Sequence, residues 1–257
     1  TKAINGLNNE LKVPFSMFLS GYKYNEIADK LDVPLGTVKS RIFFAARRPV
    51  AEVHMSKEVI SMPKEPTPRR RARLLEVLRH RQNDLTLVLA NIHDPHNVSA
   101  IYRSCDAFGL SKVHLYYTNT PFPTLGRKTS ASARKWVESE RHKNSADLMR
   151  TLRGQGFQVL ATSCSETARP LRAWDFIRPT AVIMGNEHSG VEEELLSLAD
   201  GQLYIPMYGM IQSFNVSVAA AIILAEAARQ REGAGMYDSS RLSEAELEAK
   251  LEEWLKK

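Results

Sequence analysis

Five short apolar runs punctuate the chain from residue 85 onward: "LTLVLA" (85–90), "KVHLYY" (112–117), "FQVLATS" (157–163), "TAVIMG" (180–185) and "GQLYIPM" (201–207). Each has the length of a strand, and helical patterns separate them at 97–108, about 144–154, 190–199 and 214–231. Parallel neighbours need a crossover long enough to hold a helix, so strands alternating with helices predict an α/β fold with a largely parallel sheet. Ligands in such sheets bind beyond the carboxyl ends of the strands. The loops that follow the runs are therefore where chemistry is expected.

The chain has 257 residues, room for one sizeable domain and a small one. The small one is expected over 1–55. There "YNEIADKLDVPLGTVKSRIFFAARR" predicts a helix over Tyr24–Leu31, a turn at Asp32–Pro34 and a second helix over Thr37–Arg47. Ile27, Ala28, Leu31, Val33, Val38 and Ile42 can form its core, and Lys39, Ser40 and Arg41 lie on the second helix. This helix-turn-helix pattern resembles the promoter-reading domain of bacterial sigma factors, which implies weak DNA binding by residues 24–48. "SKEVISMPKEPTP", 56–68, reads as a linker. Met55 and Met62 stand where a shorter chain could begin, so the N-terminal piece is expected to be a separable passenger.

A larger domain is expected over 69–257. It opens with "RRRARLLEVLRHRQ", whose Leu74, Leu75, Val77 and Leu78 give one apolar side. Arg69, Arg70, Arg71, Arg73, Arg79 and Arg81 cover the rest and read as phosphate contacts. The formal net charge of +6 also favours a polyanionic partner. The domain closes with "SEAELEAKLEEWLKK", where Ser243 and Glu246 form a capping box and Leu247, Leu251, Trp254 and Leu255 a buried stripe. Cys105 and Cys164 are the only cysteines, which excludes a disulfide scaffold and predicts inert core thiols. No apolar run reaches the ~20 residues that span a bilayer, and the start lacks a signal-peptide core. A soluble cytoplasmic protein is expected.

Three polar loops carry the candidate chemistry. In "NIHDPHN", 91–97, Asn97 opens a helix that contains Arg103, and its plain reading is a helix cap. His93 and His96 lack a third clustered ligand, so no metal is expected. In "MGNEHSG", 184–190, Ser189 with Glu192 reads as a capping box, which leaves Glu187 unexplained. In "IPMYGMIQS", 205–213, Ile205, Met207, Met210 and Ile211 offer an apolar wall, and Gly209 lets backbone approach a ligand closely. Ser213 or Asn215 can cap the next helix, which is apolar nearly all round and therefore expected to be buried.

"LANIHDPHNVSAIYRSCDAFG", "IMGNEHSGV" and "IPMYGMIQSFNVSVAAAIIL" resemble the three motifs of the SpoU branch of the SPOUT RNA 2′-O-methyltransferases. The resemblance runs from about 69 to 257. The arginine-rich helix and the C-terminal tail are most similar to those of the guanosine-18 tRNA group, TrmH, although the motifs are shared with ribosomal RNA enzymes. The resemblance implies a C-terminal trefoil knot, S-adenosylmethionine as cofactor without a metal, a homodimer whose sites use both chains, and tRNA as partner. It implies a cofactor pocket at Thr162, Gly185, Ile205, Met210 and Phe214. It implies a catalytic set of Asn97, Arg103, Glu187, Ser213 and Asn215, with Arg73 on tRNA and Arg70, Arg71 and Arg81 beside it. Asp94 stands where some relatives carry a basic residue, which implies altered substrate reach. The alternatives are a ribosomal RNA 2′-O-methyltransferase and a DNA-binding regulator acting through 24–48, the second of which leaves all three motifs unused.

Overall fold

The computed structural model describes residues 8–47, 67–125 and 133–257. Chain contacts divide into two compact units, Thr1–Glu65 and Pro66–Lys257. Most of the expected linker, up to residue 66, lies outside the described residues.

The first unit contains three described helices, α1 (Asn9–Leu19), α2 (Tyr24–Leu31) and α3 (Leu35–Arg47). Asp32 ends α2 in the left-handed region (φ 49°), which turns the chain into α3. Ile27, Ala28, Val38 and Ile42 are buried together, and Phe15 and Met17 of α1 pack on them. The sequence reading missed α1, because Pro14 interrupts its pattern and the helix is short. It also started α3 two residues late. Gly36 sits in the first turn, where a helical N–H has no intrahelical partner to lose.

The second unit opens with α4 (Pro68–Arg79), whose N-terminus is capped by Thr67 accepting from the Arg70 N–H at 3.3 Å. Thr67 and Pro68 thus start a helix rather than end a linker. Leu74 and Leu78 pack against Leu247, Leu251 and Trp254 of α10 (Glu244–Leu255), whose Ser243–Glu246 capping box is present. Among the described residues, seven strands form one sheet: β1 (Leu85–Ala90), β2 (Lys112–Tyr116), β3 (Glu138–His142), β4 (Gln158–Thr162), β5 (Arg169–Pro170), β6 (Thr180–Met184) and β7 (Gly201–Tyr204). Their order is β3-β2-β1-β6-β4-β7-β5, with every pairing parallel.

Central strands are buried on both faces. In β1, Leu85, Leu87 and Leu89 join one core cluster, while Val88 and Ala90 join the other. The first cluster lies under α5 (Pro95–Ala107) and α9 (Val216–Gly233). The second lies under α7 (Ser145–Gly154) and α8 (Glu193–Leu198). A one-turn helix, α6 (Ala133–Trp136), leads into β3. Strand β3, "ESERH", carries no apolar alternation and was not expected. It forms because an edge strand needs a partner on one side only, and β2 supplies it in register from Lys112↔Glu138 to Tyr116↔His142.

Several local expectations are corrected. The cap of α5 is Asp94, which accepts from the His96 N–H at 2.8 Å, so Asn97 lies inside the helix. Ser189 caps nothing: α8 starts four residues later, with Glu192 at its N-cap, after a turn in which Asn186 and Gly190 bond each other. Helix α9 is buried along one side only, and Val218 is 45% exposed. Cys105 is buried, but Cys164 is exposed.

Arg81 is the largest correction. Its side chain is 2% exposed, donates to the Leu110 carbonyl at 2.6 Å and pairs with Asp106. Such a guanidinium is part of the core and cannot meet an RNA phosphate. Arg71 pairs with Glu248 and Glu252 of α10 while staying 42% exposed, and Arg73 pairs with Glu76. Arg70 and Arg73 remain exposed on α4. Arg231, unremarked in the sequence, is fully buried and holds Asp84, Gln82 and the Phe176 carbonyl.

Candidate active site

The carboxyl ends of β1, β2 and β6 meet at Asn91. Its φ of 50° is left-handed, a conformation that Asn tolerates better than most residues. The bend turns its side chain across the loops. Its amide N–H donates to Glu192 at 2.7 Å, and its amide oxygen accepts from the Thr118 N–H at 3.1 Å. The Asn186 side chain donates to the Asn91 carbonyl at 2.8 Å. Asn186 then accepts from the His188 and Ser189 N–H groups, which shapes the 185–190 loop. Asn119 adds a second donor to Glu192 at 2.8 Å. Sequence reasoning missed Asn91, Asn186 and Glu192; the Asn that opens each loop was the available signal.

Gly185 has a packing reason for its identity. A Cβ there would overlap the Gly190 backbone, because the loop folds back over the end of β6.

Glu187, Asn97 and Asn215 come from three separate segments and form one hydrogen-bonded chain. Asn97 donates to Glu187 at 2.7 Å, and Asn215 donates to the Asn97 oxygen at 3.0 Å. Asn215 also caps α9, accepting from the Ser217 N–H at 2.9 Å. Glu187 further accepts the His93 and Asp94 N–H groups, at 3.2 and 3.4 Å. Burial pushes this carboxyl up, but the Asn97 amide and backbone N–H groups outweigh it and hold it below the ordinary Glu range. Glu187 is therefore a carboxylate at neutral pH that fixes the Asn97 amide.

Beside this chain lies a cavity of about 600 Å³. Its walls include Thr162, Gly185, Ile205, Ser213 and Phe214, with Glu187 and Asn215 at one side. The Thr162 hydroxyl donates to the Ile183 carbonyl at 3.1 Å, bridging β4 and β6. Leu203, Val216 and Ala219 make much of the remaining wall apolar, and Cys164 lines it too.

Two expected site residues do not join. Met210 does not line the cavity and is 99% exposed, as is Tyr208. Arg103 is exposed on α5, six residues beyond Asn97 and so on another helix face. Among the described residues, no hydrogen bond or ion pair holds it.

Residues 84–225 match the SpoU rRNA Methylase family, and residues 1–48 match the Sigma-70, region 4 family. The chain is 49% identical over 194 residues to a Thermus thermophilus tRNA (guanosine(18)-2′-O)-methyltransferase, covering 76% of this chain and 100% of that one. It is 46% identical to the Escherichia coli protein of the same description, over 72% of this chain and 81% of that one. The crystal structure of the A. aeolicus TrmH/SpoU tRNA modifying enzyme superposes with a TM-score of 0.69 at 40% identity, covering 73% of this chain and 95% of that one. A parallel α/β sheet with the three motif loops at its carboxyl end defines an RNA methylase of the SpoU type. The chain belongs to the SpoU methylase family.

Proposed function

We propose that this protein transfers a methyl group from S-adenosylmethionine to the ribose 2′-hydroxyl of guanosine 18 in the D-loop of tRNA. The observation that carries the reading is the Glu187–Asn97–Asn215 chain beside a largely apolar cavity, in a chain similar to enzymes named for that reaction.

The cavity fits the cofactor. Its volume lies in the range of small-molecule sites, and it combines an apolar wall with a few polar groups. Thr162, Gly185, Ile205 and Phe214 would hold it, and once bound it supplies an electrophilic sulfonium methyl. Glu187 locks Asn97, and Asn97 with Asn215 fixes the entrance of α9 at the rim. Ser213, on the cavity wall, would meet the nucleotide. Arg103 brings a guanidinium, a group that is effectively never deprotonated in proteins. Its role is to stabilise negative charge on the ribose oxygen, whose proton leaves to a substrate phosphate or water.

A homodimer supports this role. Met210 with Tyr208 and Ile211 on the 205–213 loop, and Val218 on α9, are exposed apolar side chains that a second chain would cover. Arg103 of that chain would reach the cavity that its own chain does not place it beside. The C-terminal strands and α9 are read as threading a trefoil knot. Arg70 and Arg73 are the exposed phosphate contacts of α4, and a tRNA substrate puts the enzyme in the cytosol. No described helix is long and apolar enough to cross a membrane. The α2–α3 pair, with Lys39 and Ser40 exposed, reads as a separable weak DNA-binding unit. A chain beginning at Met62 should keep full methylation.

The test is to incubate the protein with labelled cofactor and total RNA and map the methylated riboses. Label at guanosine 18 of tRNA is the expected result; label confined to ribosomal RNA overturns the substrate. Arg70→Ala with Arg73→Ala should weaken tRNA binding and shallow its salt dependence while sparing cofactor binding.

A further inference from the structure

At the β3–β2 edge of the sheet, outside the three motif loops, lies a cluster that methyl transfer does not use. His114 of β2 and Glu140 of β3 are register partners, and His142 lies two residues further along on the same face. His114 and His142 are 1% and 4% exposed. His114 Nδ1 and His142 Nε2 are 2.9 Å apart, and one ligand atom from each of His114, His142 and Glu140 fits within 4.8 Å of the others.

We propose that His114, His142 and Glu140 form a binding site for one zinc-class divalent cation that clamps the edge strand β3 to β2. Two imidazoles and a carboxylate are a donor set suited to such ions, with a fourth position left for water.

Three features beyond the cluster itself fit this assignment. Asp147 of α7 accepts from His142 Nδ1 at 3.2 Å, which leaves the lone pair on Nε2, facing the other donors. A carboxylate behind a ligating imidazole is the usual orienting partner in zinc sites. The His114 ring is buried with Nδ1 turned toward His142 Nε2, so binding an ion at that atom places its proton on Nε2. Finally, His114 and Lys112 line a cavity of about 470 Å³, which gives an ion a way in.

The present geometry is close to a bound one. Zinc–nitrogen bonds of about 2.1 Å at a tetrahedral angle separate two nitrogens by about 3.4 Å, so the pair must open by about 0.5 Å. One contact opposes binding: Lys112 donates to Glu140 at 2.9 Å and competes for the carboxylate.

The test uses the full chain, stripped with chelator and titrated with zinc chloride by calorimetry and with cobalt(II) by absorbance. The expected result is saturable uptake of one ion per chain and a raised melting temperature. His114→Gln and His142→Gln keep a hydrogen-bonding amide in place of the ring and should fold without metal, as their chelated melting curves would show. Each should lower affinity by more than the roughly 10- to 100-fold expected when an outer carboxylate is lost, which is the effect expected of Asp147→Asn. Lys112→Met should raise affinity. The proposal is overturned by absence of saturable uptake, by undiminished uptake in both glutamine variants, or by uptake lost only in His93→Gln with His96→Gln.

Discussion

Two neighbouring loop systems at the carboxyl end of the sheet treat their side chains in opposite ways. In 91–97 and 185–190, polar groups are closely partnered within the chain: Glu187 holds three donors, Asn97 passes on to Asn215, and Asn91 ties three loops. At the tip of 205–213, apolar side chains are bare: Tyr208 and Met210 are both 99% exposed and Ile211 is 63% exposed. The polar half of the site is tied together within one chain, while the tip of its apolar half faces solvent. Arg103 belongs with the second half, since it is charged, exposed and unpaired among the described residues. The difference separates what the fold pre-positions from what the proposed dimer would supply.

The largest effect is expected at Arg103. Losing one electrostatic donor to a developing anion costs about 100- to 1000-fold in turnover, so Arg103→Ala should lose that much methyl transfer at unchanged cofactor affinity. A comparable fall in cofactor affinity would move Arg103 to the polar half. Next in size is the bare surface. Tyr208→Ser with Met210→Ser removes two large apolar side chains, each worth about 1.5–3 kcal/mol when fully buried. Sedimentation should show a strongly weakened dimer, and activity should fall with protein dilution. An unchanged dimer would mean that this loop is not covered by a second chain.

Smaller effects are expected within the polar half, and on stability. Glu187→Ala leaves a buried amide and two N–H groups without their acceptor and should cost about 1–3 kcal/mol in a denaturant midpoint. The pH dependence has a definite sign. The folded Glu187 pKa lies below its unfolded value, so its contribution is present above the ordinary carboxyl range and fades as pH falls through the folded pKa. Glu187→Gln should flatten that acid limb, and an identical limb would refute the assignment. Smallest is the contrast at Asn91. Asn91→Gly keeps the left-handed bend and loses only the amide, whereas Asn91→Ala also strains the backbone by roughly 1 kcal/mol. Equal melting temperatures would show that the bend carries no strain.

Much of this was legible in the sequence for a physical reason. Strands buried on both faces, such as "LTLVLA", must be apolar throughout, and amphipathic helices must show their stripe. The three motifs could be read because Asn97, Glu187 and Asn215 are polar residues placed where polarity needs a cause. Position within a network could not be read so directly. Asn97 looked like a helix cap, yet the cap is Asp94, because the residues at both ends of "DPHN" have capping side chains. Arg81 looked like one more surface arginine. Helix α4 ends at Arg79, and the following turn carries Arg81 inward to Asp106 and Leu110, which periodicity cannot foresee. Strand β3 was invisible because its stability lies in the ladder with β2 and in cross-strand charge pairs such as Lys112–Glu140. The burial expected of α9 fails on one side within a single chain, where Val218 faces outward.

Mixed-chain complementation tests the central claim most directly. One chain carries Arg103→Ala; the other carries Ile205→Trp, which fills the cofactor cavity and leaves Arg103 intact. Each should be inactive alone. If each site takes its cavity from one chain and its arginine from the other, every mixed dimer has one working site. Random exchange of equal amounts in a two-fold dimer then restores about a quarter of the parental activity. Activity no greater than the sum of the two inactive parents would show that Arg103 serves its own chain's cavity and would contradict the account.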